Sequence, residues 1–433
     1  TIASFFGRPA RREIGELTAY ESVSGQALLT VVASGGHVFD LTTVGGYHGV
    51  LELDSKHVPI YTPIIRCLDC GNQFVDQDRC PRCGSERVRS KIEVVRALRS
   101  LAMEANEVLI ATDPDAEGEK IGYDIYCAVR PYNDNVKRLE FHEVTRKALA
   151  AALASPRGVK ESLVEAQLLR RIEDRWVGFE LSRRLQERFG RRTLSAGRVQ
   201  TPVLGWVVER TLMAAKKLPA LTVVLEDGLR VEFLNPVDVE EAKALHEKGE
   251  LFCDVVEVAS EVREVRPPPP YTTDSMLRDA WQFFRMGATE AMEAAQTLFE
   301  SGLITYHRTD STTVSSTGLN VARSYIEERF PGSFRPRTYA KEGAHECIRP
   351  TRPIDERMLS YYVQSGTLTT AARIGRRELA LYGMIFRRFI SSQMPEARVR
   401  YQTISVRLLG NSVQMERAVE VIEEGFLKVN PLV

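Results

Sequence analysis

The sequence has 433 residues, of which 43% are hydrophobic, and its formal net charge is zero. A chain of this length can bury several hydrophobic cores, so two to four domains are expected. No run of about 18 apolar residues suggests a membrane span, and Thr1 to Glu16 lacks the apolar stretch of a secretion signal, so a cytoplasmic location is expected. A neutral charge balance excludes a uniformly basic protein, so any nucleic-acid contact must come from a local patch.

The first 150 residues predict an α/β domain. A β-branched run between Ala27 and Val38 and an apolar run between Glu107 and Ala111 are typical of strands, and the stretch from Ile92 to Ala105 has a helical pattern. This alternation of strands and helices favours a parallel sheet.

Four of the seven cysteines form two Cys-x2-Cys pairs, Cys67 with Cys70 and Cys80 with Cys83, and a glycine follows each pair. Four thiolates at this spacing match tetrahedral zinc, and so short a loop needs a metal to fold. Two disulfides and chance are the alternatives, and a reducing compartment argues against disulfides. The sequence therefore predicts a zinc ribbon at residues 64–86.

The acidic sequence DPDAEGE (residues 113–119) follows the apolar run EVLIAT and precedes a helical pattern. Acids at alternate positions just past a strand point the same way. Asp113 and Asp115 can therefore share one Mg²⁺, with Glu117 as a supporting ligand. A solvated acidic turn or a helix N-cap is the alternative explanation.

The rest of the chain alternates between helical and strand-like blocks. Residues 154–218 are mainly helical, and arginines outnumber acids between Arg170 and Arg198, which suits phosphate binding. Residues 220–265 carry short strand-like runs that end at the tetraproline Pro267–Pro270. Residues 271–395 are largely helical again and 396–433 return to strands, so the helical block is predicted to be an insertion between strands.

The sequence SGLITYHRTDS (residues 301–311) follows an amphipathic helix that ends near Glu300. We expect Tyr306, beside a glycine turn and two polar neighbours, to be exposed enough to act as a nucleophile, with Arg308 placed beside a phosphate. Considered alone, a buried hairpin tyrosine is the commoner explanation.

Four motifs in this order resemble those of the type IA DNA topoisomerases: DPDAEGE, SAGRVQTP (195–202), LITYHRTDS (303–311) and AHECIRPT (344–351). The resemblance covers nearly the whole chain and implies a multidomain fold that combines an α/β domain with helical and β-rich domains. It implies a Toprim domain at 1–150 with the inserted zinc ribbon, the first part of helical domain IV at 154–218, a β-rich domain II at 219–265 and 396–433, and domain III with the active-site tyrosine at 266–395. These would form the family's toroid, incomplete in this chain.

The resemblance also implies a role for each matched residue. Tyr306 would attack a phosphorus of single-stranded DNA and form a 5′-phosphotyrosine, while Arg308 and Arg198 would hold phosphate oxygens. Mg²⁺ at Asp113, Asp115 and Glu117 would place the DNA for religation. His345 would contact phosphate or relay a proton, and Glu300 would lie near the site, the alternatives being a structural loop histidine and a surface carboxylate. The implied DNA contacts are Arg198, Gln200, Arg308, Thr309, Asp310, Ser311, His345 and Arg349.

Within the family, three features most resemble the topoisomerase half of reverse gyrases: the inserted ribbon, the histidine of TYHRTDS and the phrase RPPPPYTTDSML (266–277). This resemblance implies a hyperthermophilic source and a helicase-like module that uses ATP to introduce positive supercoils. ATP would act only through that module, because this chain has no GxxxxGK[ST] phosphate loop.

Family members usually open with a strand carrying a glutamate and a lysine, upstream of a segment like TIASFFGRP, and continue past the segment GFLKVNPLV. We therefore expect the chain to be a fragment, and we expect it to act as a monomer because one tyrosine cuts one strand. The alternatives are an ordinary topoisomerase that relaxes negative supercoils without ATP, a Toprim nuclease or primase, and a zinc-ribbon DNA-binding scaffold.

Overall fold

The computed structural model describes residues 2–25, 27–226, 228–234, 239–249, 252–339, 345–368, 370, 372–408 and 411–431. The chain divides into two compact units. The first contains Thr1–Gly205, Phe299–Arg308 and Thr370–Arg373, and the second contains Trp206–Leu298, Thr309–Thr369 and Ile374–Val433. None of the helices in the described residues has both the length and the apolar character needed to cross a membrane.

The first unit begins with small antiparallel sheets. In chain order its first ten strands are β1 (Ala10–Ile14), β2 (Leu17–Ser24), β3 (Ala27–Val32), β4 (Phe39–Leu41), β5 (Val50–Leu53), β6 (Lys56–Pro59), β7 (Tyr61–Pro63), β8 (Ile65–Cys67), β9 (Gln73–Phe74) and β10 (Val88–Ser90). They form a β1-β2-β3 meander, the pairs β4-β7 and β5-β6, and a small sheet in the order β10-β8-β9 that carries the cysteine pairs.

An α/β segment follows in the first unit. Its elements are α1 (Ile92–Glu104), β11 (Val108–Ile110), α2 (Ala116–Val129), β12 (Val136–Arg138), α3 (Arg146–Ala154) and α4 (Glu161–Phe189), and α5 (Gln200–Ala214) begins in this unit. Buried side chains of α1 and α2, including Val95 and Val129, pack with Ile110 of β11 in one hydrophobic core. This core holds β11 against α1 and the second half of α2.

The predicted parallel sheet is only partly correct. β11 and β12 are parallel, with Val108 opposite Val136, but the run that begins at Ala27 pairs antiparallel with β2. The reason is the short connection after Ser24, because neighbouring strands joined by a tight turn must run in opposite directions.

The second unit combines strands with a helical block. Its elements are β13 (Ala220–Val224), β14 (Arg230–Leu234), α6 (Val239–Lys248), β15 (Asp254–Val265), α7 (Thr273–Phe284), α8 (Ala288–Glu300), α9 (Ser316–Arg329), α10 (Glu356–Gln364), α11 (Arg376–Ser392), β16 (Ala397–Leu408) and β17 (Asn411–Glu423). α8 ends with two residues that belong to the first unit.

The strands of the second unit enclose the helical block in sequence. β15 and β16 pair antiparallel over almost their full length, and β17 adds to the other edge of β16. This pairing is the arrangement predicted for a helical insertion. Phe233 of β14 and Val406 of β16 are buried in a shared core, whereas α11 has ten buried residues and forms the centre of the helical block.

Candidate active site

The four clustered cysteines bring their sulfur atoms together. All four Sγ atoms lie within 4.8 Å of one another, with 3.6 Å between Cys67 and Cys83 and 3.5 Å between Cys70 and Cys80. Tetrahedral zinc with Zn–S bonds of about 2.3 Å requires S–S separations of about 3.8 Å, whereas a disulfide bond measures about 2 Å. A hydrogen bond from the backbone of Cys70 lowers the pKa of Cys67, which favours the thiolate. The cluster therefore fits zinc and does not form disulfides.

The acidic motif lies at the end of β11, where the chain turns into α2. Asp115 is the N-cap of α2, and its Oδ1 accepts a hydrogen bond of 2.6 Å from the amide of Gly118. The pKa of Asp113 is raised above its usual range, because its carboxyl group is desolvated and lies near the charge of Asp115. The sequence offered a helix N-cap and an acid pair at a strand end as alternatives. The structure contains both, because Asp115 caps α2 and also lies next to Asp113 after β11.

Tyr306 reaches this acid pair. Its hydroxyl donates a hydrogen bond of 2.5 Å to Oδ2 of Asp115, although the two residues are 191 positions apart. The ring of Tyr306 packs edge-on against Phe299, and the residue is only 2% exposed. Burial, the bond to Asp115 and the charge of Asp113 raise the pKa of the phenol above its ordinary value. The expectation of an exposed tyrosine was therefore wrong, but the hydroxyl faces carboxylates.

The loop before Tyr306 is fixed by backbone contacts. The amide of Tyr306 donates to the carbonyl of His142 at 2.8 Å. Gly302 has a φ of +68°, and a Cβ there would lie 2.3 Å from the carbonyl oxygen of Val144. Only glycine fits this close approach, so the residue places the loop against the segment after β12.

Two basic side chains lie beside Glu117. His37 Nε2 is 3.0 Å from one carboxylate oxygen of Glu117, and Nη1 of Arg308 is 3.8 Å from the other. Arg308 keeps half of its side chain exposed. Its guanidinium is therefore available to an anion in the same region as the Tyr306 hydroxyl.

The acid pair fits Mg²⁺ better than the predicted triad does. Mg²⁺ in proteins is commonly held by one or two carboxylates together with water and phosphate oxygens. Asp113 and Asp115 form a like-charge pair, which a divalent cation would relieve. Glu117 is bonded to His37, and its carboxylate does not join a tight three-acid cluster within the described part of the chain. One oxygen of Glu117 is bonded to His37 and the other lies 3.8 Å from Arg308, so its ligation of Mg²⁺ stays a prediction.

A cavity of about 110 Å³ adjoins Glu117 in the first unit. Its walls include basic side chains of α4 and a lysine of α2. The residues lining it are His37, Phe39, Tyr61, Glu117, Lys120, Gln167, Arg170, Arg171 and Asp174. Lys120 is itself buried, bonded to Asp124 at 2.6 Å and positioned over the ring of Tyr61.

The other predicted residues of the first unit are mostly accessible. Arg198 bonds Asp174 at 2.8 Å and keeps 36% of its side chain exposed, and Gln200 is exposed at the start of α5. Glu300 is exposed, and after burial and the charge of Asp115, its charge is a further cause of the raised pKa of Asp113. His307 is fully buried, and burial lowers its pKa to about 4.

Three of the predicted DNA contacts in the second unit are buried. Thr309 and Ser311 are each 5% exposed, and Arg349 is 1% exposed and bonded to Glu346 at 2.6 Å. In this conformation these three side chains are not accessible to DNA. Thr309 and Ser311 are covered by packing, and Arg349 is buried and paired with Glu346. Asp310 is exposed and His345 is partly exposed, and their proposed contacts remain predictions.

Sequence reasoning missed the ionic network beneath the acid pair. The motif DPDAEGE contains Glu119, but the sequence assigns no role to it, to Arg138 or to Arg157. Burial opposes ionisation of Glu119, yet hydrogen bonds from Arg157 and Lys160 and the charge of Arg138 lower its pKa to about 2. A charged residue type does not by itself indicate burial. Only the alternation of side chains along the short strand around Arg138 could have suggested that this arginine is buried.

Two family models match almost the whole chain. The model described as "Toprim domain" matches residues 3–144, and the model described as "DNA topoisomerase" matches residues 158–432. Together they define a DNA topoisomerase with a Toprim domain. The chain belongs to the type IA DNA topoisomerases.

Its relatives narrow this class to a type IA core similar to the topoisomerase part of reverse gyrases. The chain is 48% identical to "Reverse gyrase" of Pyrococcus furiosus over 100% of its length, and 45% identical to "Reverse gyrase 1" of Aeropyrum pernix over 98%. It spans 36% of the length of each of these relatives. The solved structure of full-length topoisomerase I from Thermotoga maritima matches with a TM-score of 0.67 and 28% identity, covering 92% of this chain and 63% of that one.

Proposed function

We propose that this chain cleaves and rejoins one DNA strand through Tyr306, as the topoisomerase module of a reverse gyrase. The observation that carries the proposal is the hydrogen bond from the Tyr306 hydroxyl to Asp115 within the acid pair at the end of β11. A tyrosine oxygen bonded to a carboxylate has a neighbouring base that can take its proton, which is the requirement for an oxygen nucleophile.

The reaction is an exchange of phosphodiester bonds. The Tyr306 oxygen forms a bond to phosphorus, and its proton passes to Oδ2 of Asp115, which accepts its hydrogen bond. The bond from phosphorus to the 3′-oxygen breaks, and the departing 3′-oxygen takes up that proton from Asp115, so the strand ends in a 3′-hydroxyl. Rejoining reverses these steps, so the bond energy is retained and the exchange itself needs no ATP.

Arg308 is the cation placed to bind the reacting phosphate. Its exposed guanidinium lies near Glu117 in the same part of the first unit as Tyr306, and a forked guanidinium binds two phosphate oxygens at once. Glu117 is bonded to His37, and its other carboxylate oxygen lies 3.8 Å from Nη1 of Arg308 and helps to orient that guanidinium. Arg170 and Arg171 of α4 line the adjoining cavity and would add positive charge for contact with the phosphates of the DNA strand.

Mg²⁺ held by Asp113 and Asp115 would supply a Lewis acid that neutralises phosphate charge and orients the 3′-hydroxyl for rejoining. Zinc at the four cysteines would have a structural role. The whole protein is proposed to carry a helicase-like module that couples this exchange to ATP and introduces positive supercoils. The supporting observation is the similarity to reverse gyrases, of which this chain spans 36%.

The test is detection of a covalent protein–DNA adduct. The zinc-loaded chain is incubated with Mg²⁺ and single-stranded DNA labelled at its 3′-end, then denatured and separated by electrophoresis. We expect labelled adduct from the unchanged chain and none from Tyr306→Phe. We expect ATP to leave the yield unchanged, because the chain has no nucleotide-binding loop.

Tyr271→Phe is the matched control. Tyr271 is equally buried and donates to Asp279 at 2.6 Å, but it lies in the second unit. We expect this variant to keep the adduct. An adduct that survives in Tyr306→Phe would exclude Tyr306 as the nucleophile, and cleavage without any adduct would indicate a nuclease.

A further inference from the structure

The buried guanidinium of Arg138 uses every one of its donors beneath the acid pair. Arg138 is the last residue of β12 and is 0% exposed. Its Nε donates to Glu119 at 3.2 Å, Nη1 donates to the carbonyls of Ile110 and Leu139, and Nη2 donates to the carbonyls of Thr112 and Asp113, both at 2.8 Å. An arginine side chain has five N–H groups, so its bonding capacity is filled.

Two of these bonds fall where strand pairing stops. β11 pairs with β12 only as far as Ile110, opposite Arg138. Thr112 and Asp113 lie beyond that point, and the guanidinium takes the place of a neighbouring strand at their carbonyl groups. The direction of the backbone that carries Asp113 is therefore held by a side chain.

The other side of the same turn is held by the start of α2. The hydroxyl of Thr112 donates to the carbonyl of Gly118 at 2.6 Å, and a Cβ on Gly118 would lie 2.2 Å from the carbonyl oxygen of Asp113. The segment between Thr112 and Asp115 is thus confined between α2 and Arg138. Neither of these two contacts involves the carboxylate of Asp113. The carboxylate of Asp115 also contributes to the turn, because its Oδ1 accepts from the amide of Gly118.

Arg138 is itself oriented by a second set of bonds. Glu119, 1% exposed, accepts from Arg138, from both terminal nitrogens of Arg157 at 2.8 Å, and from the amide of Lys160 at 2.7 Å. Arg157 also bonds Glu140 at 2.6 Å. The network therefore joins α2, β12 and the segment before α4.

A buried ion pair of this kind is weak evidence for added stability, because desolvation offsets most of the charge attraction. Its specific effect is geometric, since a planar fork fixes several carbonyl groups that an ammonium group could not reach together. Groups behind metal ligands typically change metal affinity by about 10 to 100-fold when they are altered.

We infer that Arg138, oriented by Glu119 and Arg157, is a positioning residue that sets the direction of Asp113 and Asp115 toward a divalent cation. This inference rests on the metal site of the proposed function. It assigns the network to the metal site and not to the general stability of the fold.

The experiment measures Mn²⁺ binding by electron paramagnetic resonance, with the full zinc-loaded chain and no DNA. We expect Arg138→Lys, which keeps the charge but loses the fork, to weaken Mn²⁺ binding by about 10-fold or more while the chain stays folded by circular dichroism. Arg157→Gln is the second variant. The Arg157 side chain is 24% exposed, so we expect this replacement to disturb folding less than Arg138→Lys does. We expect it to weaken Mn²⁺ binding several-fold.

Lys137→Gln is the matched control, because Lys137 is the adjacent residue of β12 and its partner Glu107 lies outside the network. We expect Mn²⁺ affinity to be unchanged in this variant. A lower melting temperature with unchanged Mn²⁺ affinity in folded Arg138→Lys would overturn the inference. If that variant does not fold, unchanged affinity in Arg157→Gln overturns it.

A double variant separates this inference from the proposed function. Asp113→Asn with Asp115→Asn should abolish the Mn²⁺ site. If Mn²⁺ binding persists in the double variant, the cation binds elsewhere and the metal site of the proposed function fails. If it is lost there but unchanged in the Arg138 and Arg157 variants, only the positioning role fails.

Discussion

At the scale of single residues, the position of Tyr306, the proposed nucleophile, depends on a backbone conformation that only glycine adopts easily. Gly302 has a φ of +68°, and a Cβ there would meet the carbonyl oxygen of Val144 at 2.3 Å. The loop that follows carries Tyr306 to Asp115, so displacement at Gly302 would move the phenol away from the acid pair.

Gly302→Ala is expected to reduce the covalent adduct strongly and to destabilise the first unit by about 1–3 kcal/mol through backbone strain and the steric clash. Adduct yield and thermal unfolding measure the two effects. Gly332→Ala is the matched control, because Gly332 has a φ of +75° but a Cβ there would have no atom of the described residues within 4 Å. Equal loss of adduct in both variants would contradict a specific role for Gly302.

The burial of Tyr306 could not be predicted from its neighbours in the sequence. Its polar neighbours favoured an exposed side chain, whereas the structure buries it against Phe299. Exposure depends on which distant segments cover a residue. Contact with Asp115, which lies 191 positions away, cannot be derived from the local pattern.

At the scale of elements, the cysteine ribbon is the part of the fold that we expect to depend on a metal. β8, β9 and β10 are two or three residues long and could not form a stable sheet alone. Zinc at the four thiols would provide the missing stabilisation.

We expect one zinc ion per chain, and its removal by a chelator should abolish amide protection in residues 65–90 while β11 and α2 stay protected. Metal analysis and hydrogen exchange measure this. Cys80→Ser should lose the zinc, whereas Cys127→Ser should retain it, because Cys127 is exposed on α2 outside the cluster. Unchanged protection after zinc removal would contradict a structural role.

At the scale of the whole molecule, the second unit depends on strands that are far apart in the sequence. Phe233 of β14 is 2% exposed and packs in one core with Val406 and Leu408 of β16. The helical block lies between these strands in the chain. Their packing therefore joins the segments before and after the block.

Phe233→Ala is expected to lower the free energy of unfolding of the second unit by about 3–5 kcal/mol, because the lost ring leaves a cavity. Hydrogen exchange should show the loss in β13, β14 and β16, with β11 and α2 unaffected. Phe252→Ala is the control, since Phe252 is fully exposed. An equal change in both variants would show that the strands do not share a core.

Local chemistry was readable without a structure. The two Cys-x2-Cys pairs, the acids after β11 and the tyrosine beside an arginine were all identifiable, because ligand type and short spacing are properties of neighbouring residues. Periodicity also predicted α1, β11 and the order of the helical and strand-like blocks after residue 154, but it missed most of the short strands before Ile92 and the helix α6. Family membership followed from four such motifs in one order, which the comparisons confirm.

Tertiary structure decided which of these groups meet and which are buried. It placed the Tyr306 hydroxyl on Asp115, turned Glu117 to His37 and buried Arg349 against Glu346. It also put Arg138 beneath the acid pair, where a sequence pattern shows only a charged residue in a short strand. Burial and pairing at these positions arise from packing between segments distant in the chain, and no local pattern encodes that packing.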